Sequence, residues 1–318
     1  MDAVAFQPRA ARFSRRIDLQ PMALTARDLN LLAHVARHRF LTSAQLAALD
    51  GGSPQNVVRS LRLLFDHRYL DRPASHLVMV PLQGTRPLVY ALGQRGARAL
   101  RAHGYLVNDR VDWTEKNKRA GAIFIEHTLE VADFMVRLEL ACRRRADVDL
   151  VRAGDVIATA PDATQKAREP LRWQVGRIER GRKVALSVVP DGLFALRFVD
   201  DTASYFLLEV DRGTIPLRRT DREGSAAWRK NIAYKLTTYY EGWRAGRHVE
   251  QFGVKQLRVL MLTSSAARMN NMLSIVDELT KGKGTGFFLF GYSAQLRGAD
   301  PLGVAWTSGR RQAVGLVD

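Results

Sequence analysis

The chain has 318 residues, 46% of them hydrophobic, which is enough for two domains with separate cores. Its 49 Lys and Arg against 32 Asp and Glu leave a formal net charge of +17, an excess that points to a polyanion partner, because each neutralised phosphate releases counterions; a basic surface that only aids solubility is the plainer alternative. One cysteine, Cys142, excludes a disulfide framework and fits a reducing cytoplasm; no apolar run approaches the roughly 18 residues needed to cross a bilayer, and the start of the sequence shows no secretory apolar segment.

Residues 1–22 read as a flexible basic arm carrying Arg9, Arg12, Arg15 and Arg16. It could follow phosphates or a minor groove, or be a solvated tail. A first domain is expected over 23–107. Thr25 caps a helix with Leu29, Leu32, Ala33 and Ala36 on one face, and Phe40-Leu41 is a short break. Thr42 or Ser43 caps a second helix, with Leu46 and Leu49 inward, which ends at Gly51-Gly52. Ser53-Pro54 restarts the chain into a third helix with Val57, Leu61 and Leu64 buried. Gln55, Asn56, Arg59 and Arg62 are left outside, with the chemistry that pairs with adenine and guanine edges in a major groove. The runs 76–81 and 87–92 then flank Gln83-Gly84-Thr85-Arg86, a β-wing with a basic tip at Arg86, and 93–103 closes the unit as a helix. This order is that of a winged helix-turn-helix, a module that docks on duplex DNA or on protein.

Residues 108–120 are polar and charged and read as a linker to a second domain over 121–293, followed by a tail, 294–318, expected to be irregular. A helix over 121–145 should place Phe124, His127, Val131, Phe134 and Leu138 inward. His127 there is more simply a hydrogen-bonded core residue than a ligand, and Glu130 a solvated side chain. Residues 149–160 could form a first strand, and 161–182 an exposed polar insertion. The runs on either side of Asp200-Asp201 read as a hairpin with a two-residue loop. In that register Asp191 lies next to the position opposite Glu209; a shift of one residue places them directly opposite, with Cβ atoms roughly 4.5–5.5 Å apart.

Alternation puts Tyr205, Leu207, Glu209 and Asp211 on one face. The next helix carries Trp228, Ile232, Leu236, Tyr239 and Trp243 as an apolar stripe, with Lys235 at its border. Asp191, Glu209, Asp211 and Lys235 thus converge, the set that metal-assisted phosphodiester hydrolysis requires. Strand-end carboxylates are also common, and Asp211 could simply pair with Arg212 or Arg218. The strand runs 256–263 and 286–292 and a helix over 267–279 complete an α/β unit with a mixed sheet. The basic loop 281–286 lacks the spacing and the strand–helix setting of a phosphate-binding loop, and no zinc spacing or nucleophile elbow occurs.

The order Pro190-Asp191, Glu209-x-Asp211, Lys235-x-x-x-Tyr239 resembles the PD-(D/E)xK nuclease superfamily, with its restriction-endonuclease-like fold. Together with the PDG and EVDRGT runs behind the winged-helix start, it is similar to the replication-relaxation family of bacterial plasmids and mobile elements, from about Thr25 to Tyr292. The resemblance implies an α/β chain, α+β overall, with a winged helix-turn-helix and a restriction-endonuclease-like mixed-sheet domain. It implies Asp191 and Glu209 as Mg²⁺ ligands, Asp211 as a further ligand and Lys235 as the charge stabiliser. One departure stands out: the superfamily's lysine follows the glutamate by two residues, where this chain has Asp211. Lys235, on the next helix, can stand in for it; otherwise the site is degenerate. The expected function is double-stranded-DNA binding in replication control or transfer, with a homodimer or a replication or transfer protein as further partner. The alternative is an active Mg²⁺-dependent endonuclease or nickase.

Overall fold

The computed structural model describes residues 12–74, 87–105, 111–179, 182–218 and 231–317. The expected wing tip at Arg86, the run 76–81 and Trp228 lie outside the described residues. The chain divides into two compact units, 1–136 and 137–318.

In the first unit, α1 (Ala26–His38) starts at Thr25 in a reciprocal capping box: Asp28 N donates to Thr25 Oγ1 at 3.1 Å and Thr25 N to Asp28 Oδ2 at 3.0 Å. Then come β1 (Phe40–Thr42) and α2 (Ser43–Asp50), the latter capped by Thr42 with Gln45 and ended by Gly51 at φ 73°. Next is α3 (Pro54–Asp66), with proline at its first position. Ser53 does not cap α3 with its side chain; its hydroxyl donates to Gln55 Oε1 instead (3.0 Å). The short strands β2 (Leu70–Asp71) and β3 (Val89–Leu92) join β1 in an antiparallel sheet of order β1-β3-β2. The helix α4 (Gln94–Ala102) follows, then α5 (Trp113–Lys118). Phe40-Leu41, expected as a break, pairs with β3, Phe40 opposite Ala91. The basic arm is anchored over its second half, where Arg15 bonds Asp71 (2.7 Å) and the Leu70 carbonyl (3.1 Å). The linker stretch contains α5, with Asn117 buried.

Helix α6 (Ala122–Arg143) buries Phe134 and Leu138 of the expected inward set, leaves His127 and Val131 half-buried, and departs from it at its start. Ile125 is fully buried against Phe40, Val89 and Ala91, and Phe124 is 50% exposed. The helix is apolar around much of its circumference, so its sequence permits more than one stripe.

The second unit continues with β4 (Val148–Arg152), α7 (Ala153–Ala158), α8 (Asp162–Gln165), β5 (Trp173–Glu179) and β6 (Arg182–Val188). Next are β7 (Gly192–Phe198), β8 (Ala203–Asp211), α9 (Ile232–Arg244), α10 (Arg247–Phe252) and β9 (Arg258–Thr263). It ends with α11 (Ala266–Leu279), β10 (Phe288–Tyr292), α12 (Ser293–Leu296), β11 (Trp306–Ser308) and β12 (Ala313–Val314).

The mixed sheet has the order β12-β11-β10-β9-β8-β7-β4, with β8, β9 and β10 parallel and the remaining pairs antiparallel. This is the α/β class expected. One face of the sheet packs α9 and α11 through Leu207, Val259, Leu236, Tyr239, Met272 and Val276. Three expectations are corrected. The strand over 149–160 stops at Arg152, where the chain turns into α7 and buries Val156. The insertion over 161–182 is not wholly exposed: β5 and β6 form a separate two-stranded ribbon whose Trp173 is fully buried and donates to the Thr238 carbonyl (3.1 Å). The tail is ordered, adding β11 and β12 to the sheet with Trp306 buried.

Candidate functional site

The β7–β8 hairpin fixes the acidic cluster. Its loop has three residues, Val199–Asp201: Phe198 N donates to the Thr202 carbonyl (2.9 Å) and Asp201 N to the Phe198 carbonyl (3.0 Å). Asp201 lies in the left-handed region at φ 60°, a conformation that Asp tolerates better than most residues. The register is therefore one residue away from that of a two-residue loop. Gly192 faces Leu208, and the next position back sets Asp191 opposite Glu209. There the ladder is irregular: Asp191 N donates to the Leu208 carbonyl (2.9 Å), and Asp191 Oδ2 accepts from Val210 N (2.8 Å).

Glu209 lies on the same face as Leu207, against α9, and is 1% exposed. Lys235 and Tyr239 stand one turn apart on α9 and divide its carboxylate between them. Lys235 Nζ meets Oε2 and the Tyr239 hydroxyl meets Oε1, each at 2.5 Å. The Lys235 side chain keeps 28% exposure against 2% for Glu209, so the ammonium reaches in from an open rim. Burial pushes the Glu209 carboxyl above its ordinary range; Lys235 opposes this and Asp191 reinforces it. Burial works against the Lys235 ammonium, but Glu209, Asp191 and Asp211 outweigh it and hold the lysine above its ordinary value. Tyr239 is pushed well above the usual phenol range by burial and by the Glu209 charge, so it stays protonated and donates a hydrogen bond to the carboxylate.

Asp211 ends β8 beside Thr263 of the parallel strand β9. Its Oδ2 accepts from Thr263 Oγ1 (2.8 Å) and from Arg268 Nε, and its Oδ1 accepts from Arg268 Nη2 (3.0 Å). Arg268 sits in the first turn of α11, where it also bonds the Ile215 carbonyl (2.6 Å). Arg218, a partner considered for Asp211, pairs with Glu278 at 2.6 Å instead. Neither Arg268 nor Thr263 stood out in the sequence. The contact spans 57 residues, and only the parallel β8–β9 pairing brings it together.

A magnesium ion requires near-octahedral oxygen coordination, and so carboxylate lone pairs that point into a shared space. Here Glu209 has one oxygen on an ammonium and the other on a phenol, Asp211 lies in a guanidinium fork, and Asp191 accepts a backbone N–H. Among the described residues no group of three His, Cys, Asp or Glu side chains could hold a metal ion. This donor set does not fit Mg²⁺. It forms a cluster whose anions are met by Lys235 and Arg268.

On α3, Val57, Leu61 and Leu64 are fully buried, while Gln55, Asn56 and Arg59 are exposed. No hydrogen bond or ion pair holds the side chains of Asn56 and Arg59 among the described residues. Arg62 differs, donating to Asp66 (2.8 Å) and to the Ser14 carbonyl (2.9 Å), which turns its guanidinium toward the N-terminal arm. Val58 and Leu63 are 47% and 44% exposed on the same helix and were not singled out from the sequence. Among the described residues no helix is long and apolar enough to cross a membrane.

The family model described as Replication-relaxation matches residues 32–256, more than half of the chain. None of the curated proteins matches the chain. Among solved structures, that of the SdaI restriction endonuclease is similar over 79% of this chain and 84% of its own, at 12% identity and a TM-score of 0.20.

Proposed function

This chain belongs to the replication-relaxation family, and from that premise we propose that it is a double-stranded-DNA-binding protein of a bacterial plasmid or mobile element, acting in the cytoplasm in replication control or transfer. Its first unit serves as a winged helix-turn-helix that lays α3 in a major groove. Its second unit is a nuclease-like domain that binds DNA or a partner without cutting. A homodimer would set two copies of α3 on two half-sites; a replication or transfer protein is the other partner this reading admits.

The single observation that carries this reading is the division of α3. A fully buried Val57, Leu61 and Leu64 stripe is backed by an exposed Gln55, Asn56 and Arg59. Amide and guanidinium groups at the start of a recognition helix match the donor and acceptor pattern of adenine and guanine edges. Arg62 belongs to the anchoring of the arm more than to the duplex.

The test is a selection from random duplexes, followed by anisotropy titration of the selected site with wild type and the Asn56→Ala, Arg59→Ala double variant. Each lost bidentate contact should cost about 1–3 kcal/mol, and discrimination at the contacted base pairs should relax. Unchanged affinity and specificity would reject α3 as the reading element. The endonuclease reading draws support from one observation, the position of Asp191 opposite Glu209 with Lys235 beside it. The donor set argues against it. Supercoiled plasmid incubated with the protein and Mg²⁺ or Mn²⁺ should stay intact on a gel; nicking abolished by Glu209→Ala would establish the enzyme instead.

A further inference from the structure

We propose that Val58 on α3 makes the helix selective for a 5-methylpyrimidine, either thymine or 5-methylcytosine, in the duplex it reads. The inference rests on α3 being the recognition helix and adds a base preference to that reading. Val58 is 47% exposed although its helix has a fully buried apolar stripe. At about 100° per residue it falls where that stripe meets the polar face, beside Gln55 one turn earlier and Arg62 one turn later. Asn56 lies on the opposite flank, with Gln55 and Arg59 between the two.

A single exposed apolar side chain is commonplace on a protein surface. What sets Val58 apart is how its neighbours are held. Long polar side chains one turn away can lay their methylenes over an apolar residue. Here both candidates are drawn off along the helix axis, in opposite directions. Gln55 Oε1 accepts from the Ser53 hydroxyl (3.0 Å), which holds the amide toward the preceding loop. Arg62 Nε donates to Asp66 Oδ2 (2.8 Å) and Nη2 to the Ser14 carbonyl (2.9 Å). Its guanidinium lies 5.7 Å from the centre of the Phe65 ring, so the side chain runs toward the C-terminal end of α3. The two methyls of Val58 therefore stand open between polar groups, and β-branching confines them to one strongly preferred rotamer.

The ligand chemistry follows from what a major groove offers. Every base pair displays hydrogen-bond donors and acceptors there, and the one apolar group is the C5-methyl of thymine. Methylation of cytosine at C5 puts the same group in the same place. Pressed against a bare polar base edge, Val58 would strip water from it and give no hydrogen bond in return. Against a methyl group it buries apolar surface on both sides. Leu63, 44% exposed, is the other apolar side chain that α3 presents. It lies about 7.5 Å further along the axis, away from the N-terminal residues with which a recognition helix meets base edges. The methylated base belongs on the Val58 flank, at a different base pair from the one Asn56 contacts.

Anisotropy titration of the full chain with the duplex recovered by selection tests the proposal, each thymine in turn being replaced by deoxyuridine and each cytosine by 5-methylcytosine. Both changes alter one methyl group and leave the hydrogen-bonding edges as they were. At one position wild type should bind the methylated base about fourfold more tightly, the effect of burying one methyl-sized group. Loss at a thymine or gain at a cytosine identifies which base carries it. Val58→Ser should abolish that preference, and Leu63→Ser should keep it. No methyl-dependent position in wild type, or a preference that survives in Val58→Ser, would overturn the assignment. If the Asn56→Ala, Arg59→Ala variant has then lost affinity, α3 remains the reading element and the methyl preference alone falls. If that variant binds as wild type does, the premise falls with it.

Discussion

Glu209 is held in a setting where an unaccompanied carboxylate would not stay ionised: fully enclosed, beside a second acid, with one ammonium and one phenol as counterweights. Removing the ammonium should therefore show a definite pH signature. In Lys235→Met, the buried carboxyl, already above its ordinary value of 4.5, rises further. A carboxyl whose folded value is raised favours the folded state only while protonated. Stability of the variant should then fall as pH rises above about 4.5, where the unfolded chain ionises first. The gap between wild type and variant is expected to be small near pH 4 and to reach on the order of 3 kcal/mol at neutral pH, as for a broken buried pair. At the alkaline end the wild type should lose stability as pH rises through the raised folded value of Lys235, above 10.5, and the variant should lack this limb. Urea denaturation at a series of pH values measures both. A gap that does not change with pH would show that Lys235 contributes packing alone.

At the scale of elements, contact distance depends on small residues. A Cβ on Gly242 would fall 2.3 Å from Trp173 Nε1, so α9 and the β5–β6 ribbon meet only because α9 has a glycine there. Gly242→Ala should lower stability by a net of roughly 1–2 kcal/mol, overpacking outweighing the helix-propensity gain of alanine. Thermal melting checks this, and an unchanged or raised midpoint would mean that the ribbon can shift.

The same contact explains what the sequence could not reveal. Helix starts were legible because Thr25, Thr42 and Pro54 act on their own neighbours, and β8 was legible because a dense apolar run beside Asp200-Asp201 is a strong local signal. Strands of two or three residues, such as β1, β2 and β12, are too short to show a period. The burial of Trp173 depends on a glycine far along the chain, so its polar surroundings misled. Within the acidic cluster, Glu209 and Lys235 followed from a strand period and a helix border. Arg268 did not, because nothing local in α11 points to Asp211. The hairpin register turned on a single left-handed residue, Asp201, which decides between a loop of two residues and one of three.

For the whole molecule the charge of +17 is the dominant long-range property. If six to ten phosphates are contacted, duplex affinity should drop by about 10³–10⁵ between 50 and 200 mM salt. Anisotropy titrations over that range give the slope; a flat response would remove the polyanion partner. So basic a chain also has to keep its large sheet from recruiting other strands. The sheet begins and ends on protected margins: β12 has two residues, and on β4 Asp149 pairs with Arg197 and Arg152 with Glu139. Short rims and charged side chains offer an incoming strand little backbone to match. Concentrated protein should accordingly resist fibril growth, and any clustering on nucleic acid would proceed through side-chain surfaces, leaving the β-architecture of each copy closed to its neighbours.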